Sequence, residues 1–128
     1  MYLADAHALG WYFTGDPRLG RKAARIFERS EKGEFPIVIP SIVLIELFHI
    51  GRKQRIDLDF AELLREIEER SNFIVAALDL PTLRKVPEVA SLSELHDQII
   101  VATALLYEAK ILTKDGAIRA AGQVETVW

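Results

Sequence analysis

Five short apolar runs, "YLAD", "FPIVIP", "FIVAAL", "AKILTKD" and "VETVW", are each separated from the next by at least one stretch of helical pattern. No other feature constrains the chain as strongly. Runs of four to seven residues are too short for helices and read as strands, the second of them bracketed by Pro36 and Pro40. The stretches between them, "HALGWYF", "LGRKAARIFERSEKG", "IVLIELFHIG", "LDFAELLREIEERS", "DLPTLRKVPEV" and "GAIRAAG", carry helical spacing or helix-stop glycines. Strands alternating with helices predict an α/β fold: a mostly parallel central sheet flanked by helices. Ser41 is placed to cap the helix that stops near Gly51, either Asp57 or Asp59 to cap the next, and Pro87 to interrupt the "DLPTLRKVPEV" helix. Ser91 and Glu94 have the spacing of a capping box, which puts Asp97 in the first turns of a helix running to about Glu108.

At 128 residues the chain has the length of one ordinary domain, and no repeat, linker or low-complexity segment divides it. One domain over 1–128 is expected. The apolar runs are too short to cross a bilayer, the opening "MYLADAHAL" lacks the basic flank of a secretory signal, and there is no cysteine. A disulfide framework and a thiolate metal site are thereby excluded, and a soluble protein of the reducing cytoplasm is expected. With a net charge of −3, any nucleic-acid partner must be held by a local basic patch and not by the overall field.

Four carboxylates stand out by position. Asp5 and Asp115 end predicted strands, and in an open parallel sheet ligands bind in the crevice beyond the carboxyl ends of the strands. A plain N-cap on the following helix explains either one equally well. Glu46 is surrounded in its helix by Ile42, Val43, Leu44, Ile45, Leu47, Phe48 and Ile50, where an unpaired carboxylate costs on the order of several kcal/mol. It needs a cation, a wet cleft or a helix end that reaches solvent. Asp97 precedes the apolar "QIIVATALL", and a favourable interaction with the helix dipole competes there with a role in a site. Acids gathered in one cleft repel unless protons or cations neutralise them. With no cysteine and only oxygen ligands, Mg²⁺ fits best, with Mn²⁺ possible, and such ions serve metal-assisted attack on a phosphodiester.

The segments "YLADAHAL", "IPSIVLIEL", "ELHDQIIVATAL" and "ILTKD", in this order and spacing, resemble the acidic motifs of PIN-domain proteins, above all the VapC-like toxins of bacterial and archaeal toxin–antitoxin pairs. The resemblance covers nearly the whole chain. It implies a magnesium-dependent endoribonuclease with Asp5, Glu46, Asp97 and Asp115 as metal-holding and catalytic acids, a homodimer, and inhibition by a cognate antitoxin. One departure stands out: where many relatives place a hydroxyl directly after the first aspartate this chain has Ala6, while Thr113 keeps the hydroxyl two residues before Asp115. A lost supporting hydrogen bond weakens metal binding by roughly ten- to a hundred-fold when nothing else orients the ligand.

His7, His49 and His96 each lie near one of the acids, and are read as supporting or surface residues, since neighbouring helix positions point about 100° apart. Lys114 neighbours Asp115 and joins Thr113, His7 and His96 as a candidate for substrate contact or ligand support. Arg18, Arg21, Lys22, Arg25 and Arg29 recur at helical spacing, and Arg52, Lys53 and Arg55 follow the Glu46 helix; both groups are candidates for RNA phosphates. A solvated face paired with Glu28 and Glu31 is the competing reading of the first group. Trp11, Tyr12 and Phe13 are available to stack on bases, to line a dimer or antitoxin groove, or to pack in the core. Two other functions stay open: a PIN-like binding scaffold that has lost catalysis, and a His-Asp metal phosphohydrolase, which requires an all-helical fold.

Overall fold

The structure, a computed structural model, describes residues 1–53 and 56–128. Arg55 lies outside the described residues. Each of the five apolar runs forms a strand: β1 (Tyr2–Ala4), β2 (Ile37–Pro40), β3 (Phe73–Ala76), β4 (Lys110–Leu112) and β5 (Thr126–Val127). They make one sheet in the order β3-β2-β1-β4-β5, and every pairing is parallel. Ile37, Val38 and Ile39 are all fully buried, which a strand achieves only when both faces of its sheet are covered.

Seven α-helices are seen among the described residues: α1 (Ala6–Thr14), α2 (Arg21–Glu31), α3 (Ser41–Arg52), α4 (Phe60–Glu69), α5 (Leu80–Lys85), α6 (Leu95–Tyr107) and α7 (Gly116–Ala121). A sheet of this content excludes the all-helical phosphohydrolase. Pro87 acts as expected, since α5 gives way to a 3₁₀ turn at Val86–Val89. Asp59 caps α4, its carboxylate accepting the Glu62 N–H at 3.1 Å. No helix is long and apolar enough to cross a membrane among the described residues.

Two caps differ from expectation. Ser41 is already the first helical residue of α3, because Pro40 both ends β2 and occupies the cap position, so strand passes into helix without a connecting residue. At α6 the carboxylate of Glu94 itself accepts the Asp97 N–H at 2.8 Å, and the helix begins at Leu95, too far along for Ser91 to serve as cap. Glu94 satisfies the orphan donor alone.

The strand order decides where a site can form. From β1 the chain moves outward to β2 and β3 on one side, then returns to place β4 and β5 on the other, so the connection reverses between β1 and β4. A reversal of this kind leaves a crevice past the carboxyl ends of the two strands. Here those ends are level: Ala4 stands opposite Leu112, and the Asp5 N–H donates to the Leu112 carbonyl at 3.3 Å.

Candidate functional site

A pocket of about 230 Å³ lies at this crevice, and Asp5, Glu46, Asp97 and Asp115 all line it. His7 and Lys114 stand at its rim, and Ala6, Ile100 and Ile118 supply its apolar wall. The four carboxylates reach it from four places in the fold. Asp5 directly follows β1 and Asp115 follows β4, each at the cap of a helix, with Oδ1 accepting the Ala8 N–H and the Ile118 N–H respectively, both at 2.9 Å. Asp97 rises from the first turn of α6, and Glu46 from the middle of α3. The cap reading and the site reading of Asp5 and Asp115 are therefore compatible, since one oxygen serves the helix while the side chain still borders the pocket.

The electrostatics differ from an ordinary set of caps. Burial pushes Glu46 up to about 7; His96 opposes this, while Glu94, Asp5 and Asp97 push it further. Burial likewise raises Asp97 to about 6, reinforced by Asp115, Glu94 and Asp5 and opposed by His96. Asp5 is 6% exposed and is raised by burial, with the Thr113 hydroxyl, the Ala8 N–H and His7 pulling it back and Asp115 adding to the rise. Asp5, Glu46 and Asp97 are thus destabilised by desolvation and by neighbouring acids. The buried Oε1 of Glu46 has no hydrogen-bond partner, and His96 Nδ1 is 3.9 Å away. No lysine or arginine forms an ion pair with any of the four among the described residues.

Orphaned carboxylate oxygen beside mutually repelling acids suits a hard divalent cation. Among the described residues, however, no group of three or more acidic or imidazole side chains is poised to hold one ion directly. The caps explain part of this, because Asp5 and Asp115 each direct an oxygen at a backbone N–H. Mg²⁺ keeps several waters and takes one or two carboxylates at a time, so a lining of spaced acids still fits it.

Thr113 answers the question raised by Ala6. Its buried hydroxyl accepts the Asp115 backbone N–H at 3.0 Å and also lowers Asp5, so one side chain bears on both strand ends. Ala6 itself is buried against the pocket. Glu94 was legible in the sequence only as half of a capping box, yet it caps α6 and sits 3.6 Å from His96, on which Glu46 also draws. His49 is exposed and lies outside the pocket.

Other candidates fall elsewhere. Arg18 is bound to Asp16 through Nε at 3.0 Å and Nη2 at 2.7 Å. Arg29 pairs with Glu34, while Glu28 and Glu31 are met by Lys32 and Arg70. Arg21, Lys22 and Arg25 stay exposed on α2 without an ion pair among the described residues, and Arg52 and Lys53 are likewise exposed at the end of α3. The aromatic run goes inward: Trp11 is 3% exposed, Tyr12 stacks on Phe27 at 4.2 Å and Phe13 packs on Phe73. None of the three is free to stack on a base.

A profile of the PIN domain matches residues 2–123. The chain belongs to the PIN domain family. Among solved structures this PIN domain is similar to a chain of VapBC2 from Rickettsia felis bound to a promoter DNA fragment, at 16% identity and a TM-score of 0.73, covering 98% of this chain and 96% of that one. It is also similar to a chain of FitAcB from Neisseria gonorrhoeae, at 20% identity and a TM-score of 0.66 over 99% and 97% of the two chains. A toxin–antitoxin complex from Klebsiella pneumoniae matches at 19% identity and a TM-score of 0.58, over 90% and 87%. At these identities the likeness is one of fold. No protein of curated function matches the sequence.

Proposed function

We propose that this PIN domain is a metal-dependent endoribonuclease that acts as the toxin of a toxin–antitoxin pair. One observation carries the reading: four carboxylates from four elements line a single pocket at the sheet's reversal point, and among the described residues neither lysine nor arginine forms an ion pair with them. Asp5, Glu46, Asp97 and Asp115 are the residues to hold Mg²⁺, or Mn²⁺ in its place. A divalent ion there supplies Lewis-acid polarisation of a phosphodiester and offsets the charge that develops on it.

The chain's own contribution is orientation and proton management. Thr113 and the Ala8 N–H fix Asp5, the Glu94 cap sets the first turn of α6 and with it Asp97, and the apolar wall of Ile100 and Ile118 limits water at the pocket. Glu46 and Asp97, raised to about 7 and about 6 by burial and by their fellow acids, hold protons that a bound cation would displace, so protons and metal compete for the pocket near neutral pH.

Antitoxin control and RNA as substrate rest on the family and on the toxin–antitoxin assemblies among its structural neighbours. A homodimer is supported by exposed apolar side chains, Ile45 and Phe48 on α3, Leu80 and Leu83 on α5, and Leu95 at the start of α6. These replace the first helix as the local support for self-association, since Trp11 is buried. The second reading, a binding scaffold without catalysis, draws on the absence of a poised three-ligand group among the described residues.

Cleavage of a mixed structured RNA pool, by protein freed of any partner and in Mg²⁺ against chelator, separates the two. Cleavage that needs the metal is the expected result. Metal binding with no RNA cut would replace the substrate, and no metal binding would favour the scaffold.

A further inference from the structure

Lys114 stands at the rim of the acid pocket, exposed, yet its ammonium lies within 4 Å of no carboxylate among the described residues. Instead Nζ sits over the indole of Trp11, 4.6 Å from the ring centroid. Net of solvation, an exposed ion pair and an exposed cation–π contact are of similar size, so closing on a nearby acid was equally open to this ammonium. Its place on the ring therefore reflects where the backbone and the indole hold it. The Lys114 backbone runs between buried Thr113 and the helix cap Asp115, and Trp11 is buried with Trp128 packed edge-on at 5.8 Å and His7 at 5.3 Å.

We propose that Lys114, seated on Trp11, binds a phosphate of the RNA strand at the rim of the pocket, and that Trp11 is the positioning residue that holds it clear of the acids. The inference rests on the nuclease reading above and adds the residue pair through which the substrate is held. Its logic is a division of charge: the acids are left for the metal, and the ammonium is left for the anion. Arg18 also lies over Trp11, at 4.9 Å, but its two bonds to Asp16 commit its charge. Lys114 is thus the uncommitted cation on this ring among the described residues. A lysine suits the task, because a compact ammonium meets a single phosphate oxygen without demanding a planar bidentate partner.

The test measures binding of a labelled single-stranded RNA of mixed sequence by the full chain carrying Asp97→Asn, in Mg²⁺, over a series of salt concentrations. Adding Lys114→Gln should weaken binding about ten-fold and reduce the slope of log K against log salt by about 0.7, the value of one lost phosphate contact on a single strand. Trp11→Leu should reproduce most of that loss, Lys114→Arg and Trp11→Phe should restore much of it, and Mn²⁺ affinity measured by calorimetry should not fall in Lys114→Gln. With Asp97 intact, Lys114→Gln should raise KM by a larger factor than it lowers kcat.

Equal affinity and slope in the Lys114→Gln variant, beside a wild-type chain that cleaves RNA, overturns the inference alone. A fall in kcat at constant KM and slope overturns it too, and puts the lysine with the carboxylates. A wild-type chain that neither binds nor cuts RNA overturns this inference and the nuclease reading together.

Discussion

Glu62 on α4 and Glu46 on α3 are the same side chain held in opposite circumstances. Glu62 is fully exposed and bonded to Arg65, which also bonds Glu69, and this pairing holds Glu62 below the usual carboxylate range. Asp16 is held down to about 2 by Arg18 in the same way. Glu46 has one oxygen buried without a partner, acids for neighbours, and a proton it keeps up to about pH 7. Among the described residues arginines pair with acids on the surface and none lines the pocket, where Lys114 is the one cation and forms no ion pair. The pocket is therefore a region where the fold tolerates unfavourable electrostatics, which is expected where a cation from outside is to be received.

Removing a pocket charge should be the most consequential change. Asp97→Asn is expected to reduce RNA cleavage to background while the melting temperature stays equal or rises, because a mutual repulsion is relieved. A large drop in melting temperature would break the contrast and make Asp97 structural. Next in size, Thr113→Val keeps the volume but removes the hydroxyl that accepts the Asp115 backbone N–H and lowers Asp5. Mn²⁺ affinity by calorimetry should fall by roughly ten- to a hundred-fold.

The pH dependence of stability sharpens the contrast further. Glu46 and Asp97 have folded values above their ordinary ones of 4.5 and 3.8, so between those values and about 7 and about 6 the folded state holds protons that the unfolded state has released. Stability contributed by these groups is present at low pH and is lost as pH rises through that window. Metal-free protein should therefore lose melting temperature between about pH 4 and 7 relative to Glu46→Gln, and added Mg²⁺ should reverse the loss most strongly above pH 7, where protons no longer compete. The surface pairs run the other way: Asp16 and Glu62 are depressed, so their contribution is lost as pH falls. Smallest of all, Arg65→Gln should leave both cleavage and melting temperature essentially unchanged, since exposed ion pairs are screened by water. A clear effect there would show that the surface ladder matters more than its exposure indicates.

Most of the architecture could be read from residue order, because strand runs such as "FPIVIP" and helix signals such as Asp59 are local statements about backbone preference. Glu46 was legible for a related reason: a carboxylate in "IVLIELFHI" contradicts its surroundings whatever the tertiary fold, whereas Asp5, Asp97 and Asp115 stood out only in company, since a cap or a helix dipole accounts for each alone. Two caps differ where competing residues stand within one turn of each other, Pro40 against Ser41 and Glu94 against Ser91, and local spacing does not choose between them. The strand order lay beyond reach, since pairing is decided by contacts between segments far apart in the chain. The same holds for the inward turn of Trp11, Tyr12 and Phe13, for the commitment of Arg18 to Asp16, and for the seat of Lys114 on an indole more than a hundred residues earlier.

The central place of β1 bears on how the molecule breathes. β1 is clasped on both sides, by β2 and β4, whereas β3 and the two-residue β5 lie at the edges. In native-state hydrogen exchange the amides of Leu3, Ala4 and Ile111 should be released only by global unfolding, while those at the edges open by local fraying. Asp5 and Asp115 hang from the slowest part of this hierarchy. Fraying at the sheet edges therefore leaves both acids at the pocket, and only the loss of the whole sheet would take them from it.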